Sequence, residues 1–274
     1  MQSIDIRDDV VADLLKASFA ARCSKVSPKE LYPQRILVLP TERSWSISLP
    51  RYNPPYYDSP AVKANNSLIK EGGWADPPDM TAAEMLARSA YGGLASFEGS
   101  VVFDPRTQKP LNPYGRMGIA GRGELGRWGP NFAADAIVIR DGEHGLEMLA
   151  VKRKDGTWAI PGGFVNPEEV VSNTVLRELE EETGLKLQNG KGAFVYLGYC
   201  ADPRNTDNAW IETTVTLFRI PKGSKTPPLK PQDQEVSAAR WLPLNAHNVE
   251  NLYASHPYFV RLAMKLVKQE DTKR

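Results

Sequence analysis

The sequence predicts a two-part α/β (α+β) protein: a smaller proline-rich N-terminal domain, then a sandwich of strands and helices. Three observations predict it. The 274 residues suffice for one large domain or two ordinary ones. Twelve of the 22 prolines fall between Pro28 and Pro113, among them Pro54-Pro55 and Pro77-Pro78. Proline fixes φ and removes a backbone donor, so this stretch cannot hold long helices or central strands. After about residue 115 the order becomes strands, one helix, strands, then a helix, the pattern of an α+β or α/β sandwich.

In chain order, Val10 to Ala21 has the period of a short amphipathic helix. Arg35 to Leu39 and Trp45 to Leu49 read as short extended pieces. The aromatics Trp45, Tyr52, Tyr56, Tyr57 and Trp74 argue for a packed layer, because disordered segments lack aromatics. Ala136 to Arg140 and Glu147 to Lys152 are short β-type runs, and His144 sits in a hairpin turn between them. Pro167 to Thr183 is a helix. Phe194 to Cys200 and Ile211 to Ile220 are β-branched, aromatic strands, Arg240 to Leu242 is a further strand, and Pro257 to Gln269 is a closing helix. The division drawn from this is 1–115 and 116–274.

Composition excludes several functions. Lys plus Arg is 34 and Asp plus Glu is 33, a net charge of +1, which offers little general attraction to nucleic acid. No apolar run approaches the roughly 18 residues of a membrane span. Two cysteines, Cys23 and Cys200, support neither a disulfide framework nor a cysteine zinc site and read as reduced thiols. Three histidines make a multi-histidine metal site unexpected. Four aspartates between Ile4 and Asp13 do not suit an Arg-rich transit peptide, and no apolar signal-peptide core is present.

The chemistry concentrates in one helix. Asn166 suits the N-cap, Pro167 the first helical position, Glu169 the capping box, and Gly184 the C-terminal stop. Val171, Val175, Glu178 and Glu182 are spaced i, i+4, i+7 and i+11 on one face, so the glutamates continue an inward apolar stripe. Glu168 to Glu182 contains six glutamates and one arginine. Carboxylates crowded on a partly buried face raise one another's pKa, and an oxygen-preferring divalent cation such as Mg²⁺ removes that penalty. The bland alternative is a solvated acidic face; the shared apolar side and the preceding Gly162-Gly163 turn argue against it.

The segment Gly163 to Leu185 resembles the 23-residue box of the Nudix hydrolase superfamily at every fixed position: Gly163, Glu169, Arg177-Glu178-Leu179, Glu181-Glu182 and Gly184-Leu185. The resemblance implies a Nudix fold, a mixed β-sheet sandwiched between helices. It implies metal-dependent attack of water on a diphosphate linked to another group, with Glu178, Glu181 and Glu182 as metal ligands for Mg²⁺ (Mn²⁺ also fits). Arg177 would orient a box glutamate, Glu169 would support the loop, and Gly162-Gly163 would let backbone approach the phosphates.

Two further segments narrow the substrate. Asn112 to Asn131 is a glycine-rich, arginine-bearing entry to the second part, and Asp202 to Thr213 is a polar loop between strands. Both resemble the ADP-ribose pyrophosphatase branch of the superfamily. They equally resemble the Nudix homology domain of ADP-ribose-gated melastatin-type transient receptor potential channels. The resemblance runs from about Leu39 to Leu266. It implies cleavage of ADP-ribose to AMP and ribose 5-phosphate, with Asp202 and Arg204 on substrate and Leu252 and Ser255 near a ribose. Phe132 stands where these proteins commonly carry histidine, leaving a stacking surface for adenine. The proton acceptor is a box glutamate, or an acid of the later loop, Asp233 or Glu235. His256 opens the last helix near the expected ribose contacts, whereas His247 reads as surface or core. The intact box favours turnover over a sensor module attached to channel subunits. The expected location is intracellular: cytoplasmic, mitochondrial, or the cytoplasmic face of a membrane. The proline-rich part becomes a small domain packed on the catalytic sandwich, walling the adenosine side of its cleft.

Overall fold

The structure, a computed structural model, describes residues 32–87, 95–166, 169–187 and 191–272. The helix expected over Val10 to Ala21, Cys23, and Pro167 as first helical residue lie outside the described residues. The chain divides into two compact units, one made of residues up to Asn131 with Tyr199–Glu212, the other of Phe132–Gly198 with Thr213–Arg274.

The first unit has little regular structure, as its prolines require. It contains β1 (Tyr56–Asp58), α1 (Pro60–Ala64), α2 (Ala82–Ala87), β2 (Val102–Phe103), β3 (Pro110–Leu111) and β4 (Ala120–Gly123). β1 pairs in parallel with β4, and β2 antiparallel with β3. Buried arginines hold it together. The Arg116 guanidinium donates to the carbonyls of Glu42, Ser44 and Ile47 at 2.8, 2.6 and 2.9 Å. That gathers Trp45 to Leu49 into a turn closed by Ile47 N–H on Ser44 O, not the extended piece expected. Arg35 to Leu39 joins no strand; Leu39 is extended, and Ile36 N–H donates to Gly118 O at 2.9 Å.

The second unit holds most of a seven-stranded sheet. Its strands are β5 (Gly129–Gly142), β6 (Gly145–Arg153), β7 (Trp158–Ala159), β8 (Gly162–Phe164), β9 (Ala193–Cys200), β10 (Ala209–Arg219) and β11 (Val236–Pro243). The order is β11-β6-β5-β10-β9, with β7 on β6 and β8 on β5. The hairpin at His144 forms as expected, Gly142 pairing with Gly145. Helix α3 (Val171–Thr183) lays Val175 and Leu179 on Ala134, Ala136, Val138, Leu149 and Phe218 of the sheet. Two further helices follow, α4 (Ala246–Glu250) and α5 (His256–Thr272). Tyr258 and Phe259 of α5 pack on Tyr196 of β9. The expected α+β class holds; most strands and the closing helix extend beyond their expected ends, whereas β10 stops at Arg219, one residue short of Ile220. Among the described residues no helix is long and apolar enough to cross a membrane.

Candidate active site

Helix α3 starts later than its punctuation suggested. Regular helix begins at Val171 with Val170 as N-cap, not at Pro167 after Asn166. The reason is Glu169. Its carboxylate accepts the Asn166 N–H at 3.1 Å, the reciprocal half of a capping box, but both its oxygens are also taken by Arg177. Glu169 is thereby held outside the first turn. At the other end Gly184 adopts φ 75° and its N–H closes on Glu180 O at 2.7 Å, the expected stop.

Arg177 is the hub of the acidic helix. It donates to both Glu169 oxygens at 2.9 and 3.0 Å, to Glu178 Oε1 at 2.8 Å and to Glu181 Oε2 at 2.9 Å. These bonds hold the Glu169 carboxyl down at about 2. Glu178 and Glu182 continue the buried stripe and are 8% and 7% exposed. Burial lifts the Glu178 carboxyl to about 7 against the pull of Arg177, with Glu181 and Asp233 adding to the rise. Burial lifts Glu182 to about 8; the Gly162 N–H, donated to Glu182 Oε2 at 2.9 Å, opposes it, and Glu178, Asp233 and Asp135 reinforce it.

Gly162 and Gly163 form a strand, not the turn expected. In β8 they pair with Asp135 and Ala134 of β5. Glycine is needed for room: a Cβ on Gly163 would overlap the Glu178 carboxyl, and one on Gly162 would overlap Asp135 Oδ1.

The loop after β10 closes the far end of α3. Gln232 and Asp233 N–H groups donate to Glu181 O at 2.8 and 3.0 Å, and Lys230 N–H to Thr183 O at 2.9 Å, satisfying last-turn carbonyls. This puts the Asp233 charge where both Glu178 and Glu182 feel it. Glu235 is exposed and gives its N–H to Asp233 Oδ1 at 2.7 Å.

The donor set is oxygen only, and its two buried carboxylates carry raised pKa values, which suits a hard divalent cation able to displace their protons. Glu181 is half-exposed and turned to Arg177, and among the described residues no three Asp, Glu, His or Cys side chains converge on one point.

The other expected residues take local roles. In the first unit, Arg204 makes a two-bond pair with Asp202, both at 2.9 Å, Asp202 being buried and Arg204 partly exposed. In the second, Phe132 is half-buried, and its carbonyl accepts Val165 N–H. Leu252 is buried and bridges to Trp158. Ser255 is buried too, and its carbonyl opens α5 by accepting the Tyr258 and Phe259 N–H groups. His256 is buried, with Nδ1 accepting the Ile160 N–H at 3.1 Å, a structural use. Sequence reasoning missed Asp135, whose only signal is a lone acid inside the apolar run Ala133 to Val138.

The NUDIX domain family matches residues 130–263, and the NUDT9-like N-terminal domain family matches residues 38–129. The chain is 42% identical over 231 residues to putative nudix hydrolase 6 of Caenorhabditis elegans, covering 80% of this chain and 85% of that one. It is 33% identical over 260 residues to the mitochondrial ADP-ribose pyrophosphatase of Rattus norvegicus, covering 82% and 72%. It is 35% identical over 264 residues to transient receptor potential cation channel subfamily M member-like 2 of Nematostella vectensis, covering 83% of this chain and 16% of that one.

Proposed function

We propose, from the premise that this chain belongs to the Nudix family, that it hydrolyses the pyrophosphate of ADP-ribose to AMP and ribose 5-phosphate. The observation that carries the reading is α3 itself: its Nudix box sets the buried Glu178 and Glu182 carboxylates beside the Gly162–Gly163 strand. The similarity to the rat ADP-ribose pyrophosphatase supports the choice of substrate.

Glu178 and Glu182, with Glu181, would hold Mg²⁺ or Mn²⁺. When bound, such a cation neutralises pyrophosphate charge and lowers the pKa of water. The chain supplies the rest. Arg177 fixes Glu169, Glu178 and Glu181 in one network, so the carboxylates need not reorganise during the reaction. Gly162 N–H aims Glu182. Water oxygen bonds to one phosphorus, the bridging P–O bond breaks so that the other phosphate leaves, and the water's proton passes to a carboxylate. Asp233 is the acid of the later loop suited to accept it, because its backbone is pinned at the end of α3. Asp202 and Arg204, and Leu252, Ser255 and Phe132, are the proposed substrate contacts. Residues 116–274 carry the chemistry and residues 1–115 are accessory. The proposed compartment is intracellular, cytoplasmic or mitochondrial.

A second reading is favoured by the channel relative: an ADP-ribose sensor that binds without turnover. AMP release from ADP-ribose, NAD and ADP-glucose with Mg²⁺ separates the two. The proposal expects ADP-ribose to be cleaved fastest; binding of ADP-ribose with no AMP formed would select the sensor.

A further inference from the structure

Asp135 is a buried acid that the proposed chemistry does not use. It lies in the middle of β5, 7% exposed, and its neighbours Ala134, Ala136 and Val138 alternate with it to face α3. Asp135 therefore points to the opposite face of the sheet. There the Thr213 hydroxyl, itself fully buried, donates to its Oδ2 at 2.6 Å. Its Oδ1 fills the space a Cβ on Gly162 would need, so only glycine fits beside it. Gly162 is its partner in the β5–β8 register, and the Gly162 N–H is the group that aims Glu182.

We propose that Asp135, held by Thr213, is a positioning residue for Glu182: it fixes the Gly162 backbone that orients this carboxylate and adds a buried negative charge across the strand from it. Three links make the chain, Thr213 to Asp135, Asp135 to Gly162, and Gly162 to Glu182. An amide in place of the carboxylate could accept the same Thr213 bond but would not supply the charge. A cation held at Glu178 and Glu182 would feel that charge more than an exposed one, because buried charges are screened less. Outer groups that orient and polarise metal ligands are typically worth about 10–100-fold in metal affinity.

The inference rests on the cation-binding role of Glu178 and Glu182, and the test separates the two. Mn²⁺ affinity is measured by calorimetry on the full chain without substrate, alongside unfolding in EDTA, for wild type, Asp135→Asn, Thr213→Val, Thr213→Ser and Glu182→Gln. Asp135→Asn is expected to weaken Mn²⁺ about 10-fold or more. Thr213→Val should weaken it less, and Thr213→Ser, which keeps the hydroxyl, should restore it. A merely structural Asp135 would change unfolding in EDTA and leave Mn²⁺ affinity at the wild-type value, which would overturn the proposal if Glu182→Gln loses Mn²⁺. Unchanged Mn²⁺ affinity in Glu182→Gln would overturn the cation-site reading and this inference together. If Asp135→Asn does not fold, the Thr213 pair decides alone: equal Mn²⁺ affinity in Val and Ser variants refutes the link.

Discussion

Asp58 with Arg122 in the first unit, and Glu178 with Glu182 in the second, are both buried charge clusters, and they differ in what compensates them. Arg122 pairs with Asp58 Oδ2, donates to Asp76 O, and stacks 5.1 Å from the Trp128 ring centre. Asp58 Oδ1 also accepts the Arg122 backbone N–H at 2.7 Å. Opposite charges and added hydrogen bonds close that cluster internally, as a buried pair requires. Glu178 and Glu182 are like charges on one helical face, and burial leaves them with carboxyl values near 7 and 8. The first arrangement is closed without a ligand; the second has only Arg177 on Glu178 and the Gly162 N–H on Glu182 to set against its burial, which is why it is the proposed cation site.

The comparison can be broken most directly at the helix. Glu178→Gln or Glu182→Gln should cost at least about 10³-fold in AMP release, because several kcal/mol of transition-state stabilisation go with the cation. Circular dichroism should stay native. Asp58→Ala should do the reverse: a stability loss of about 3–5 kcal/mol in chemical denaturation, since it strands the Arg122 charge. Loss of activity without loss of stability in Asp58→Ala would erase the distinction. Gly163→Ala forces its new Cβ into the Glu178 carboxyl, so turnover should fall roughly 10²-fold with a small change in unfolding.

The smallest effect is in pH. Both carboxyls sit above their ordinary 4.5 in the folded chain, so the cation-free protein keeps protons that the unfolded chain has released. Their contribution to the stability of the cation-free protein is therefore fully present below about pH 4.5 and is lost as pH rises through 7 and 8. A cation competes with those protons, so its affinity should climb from about pH 6 and level off above about 8. Titrations at several pH values check this; Glu182→Gln should flatten the upper part of the curve.

The helix was legible because its period and box residues act locally: Val175, Leu179, Glu178 and Glu182 occupy the face that their spacing assigns. Gly162-Gly163 was misread for a physical reason. Glycine pairs signal turns, yet these two lie in a strand and serve by lacking a Cβ against Glu178 and Asp135. Trp45 to Leu49 was misread because the carbonyls of that turn are gathered by Arg116, about 70 residues away and invisible to local pattern. Asp135 showed only as a lone acid in an apolar run, since its meaning comes from pairing with Gly162 and Thr213. The start of β5 was hidden by Gly129 and Pro130, which read as turn residues.

The central claim is that the box carboxylates make this chain a cation-dependent ADP-ribose hydrolase. Its most direct test is Mg²⁺ titration of AMP release from ADP-ribose, comparing the full chain with the Glu181→Gln/Glu182→Gln double variant. Saturable Mg²⁺ dependence in the first, and no turnover in a natively folded second, is the predicted result. Near-normal turnover by the double variant would contradict the account.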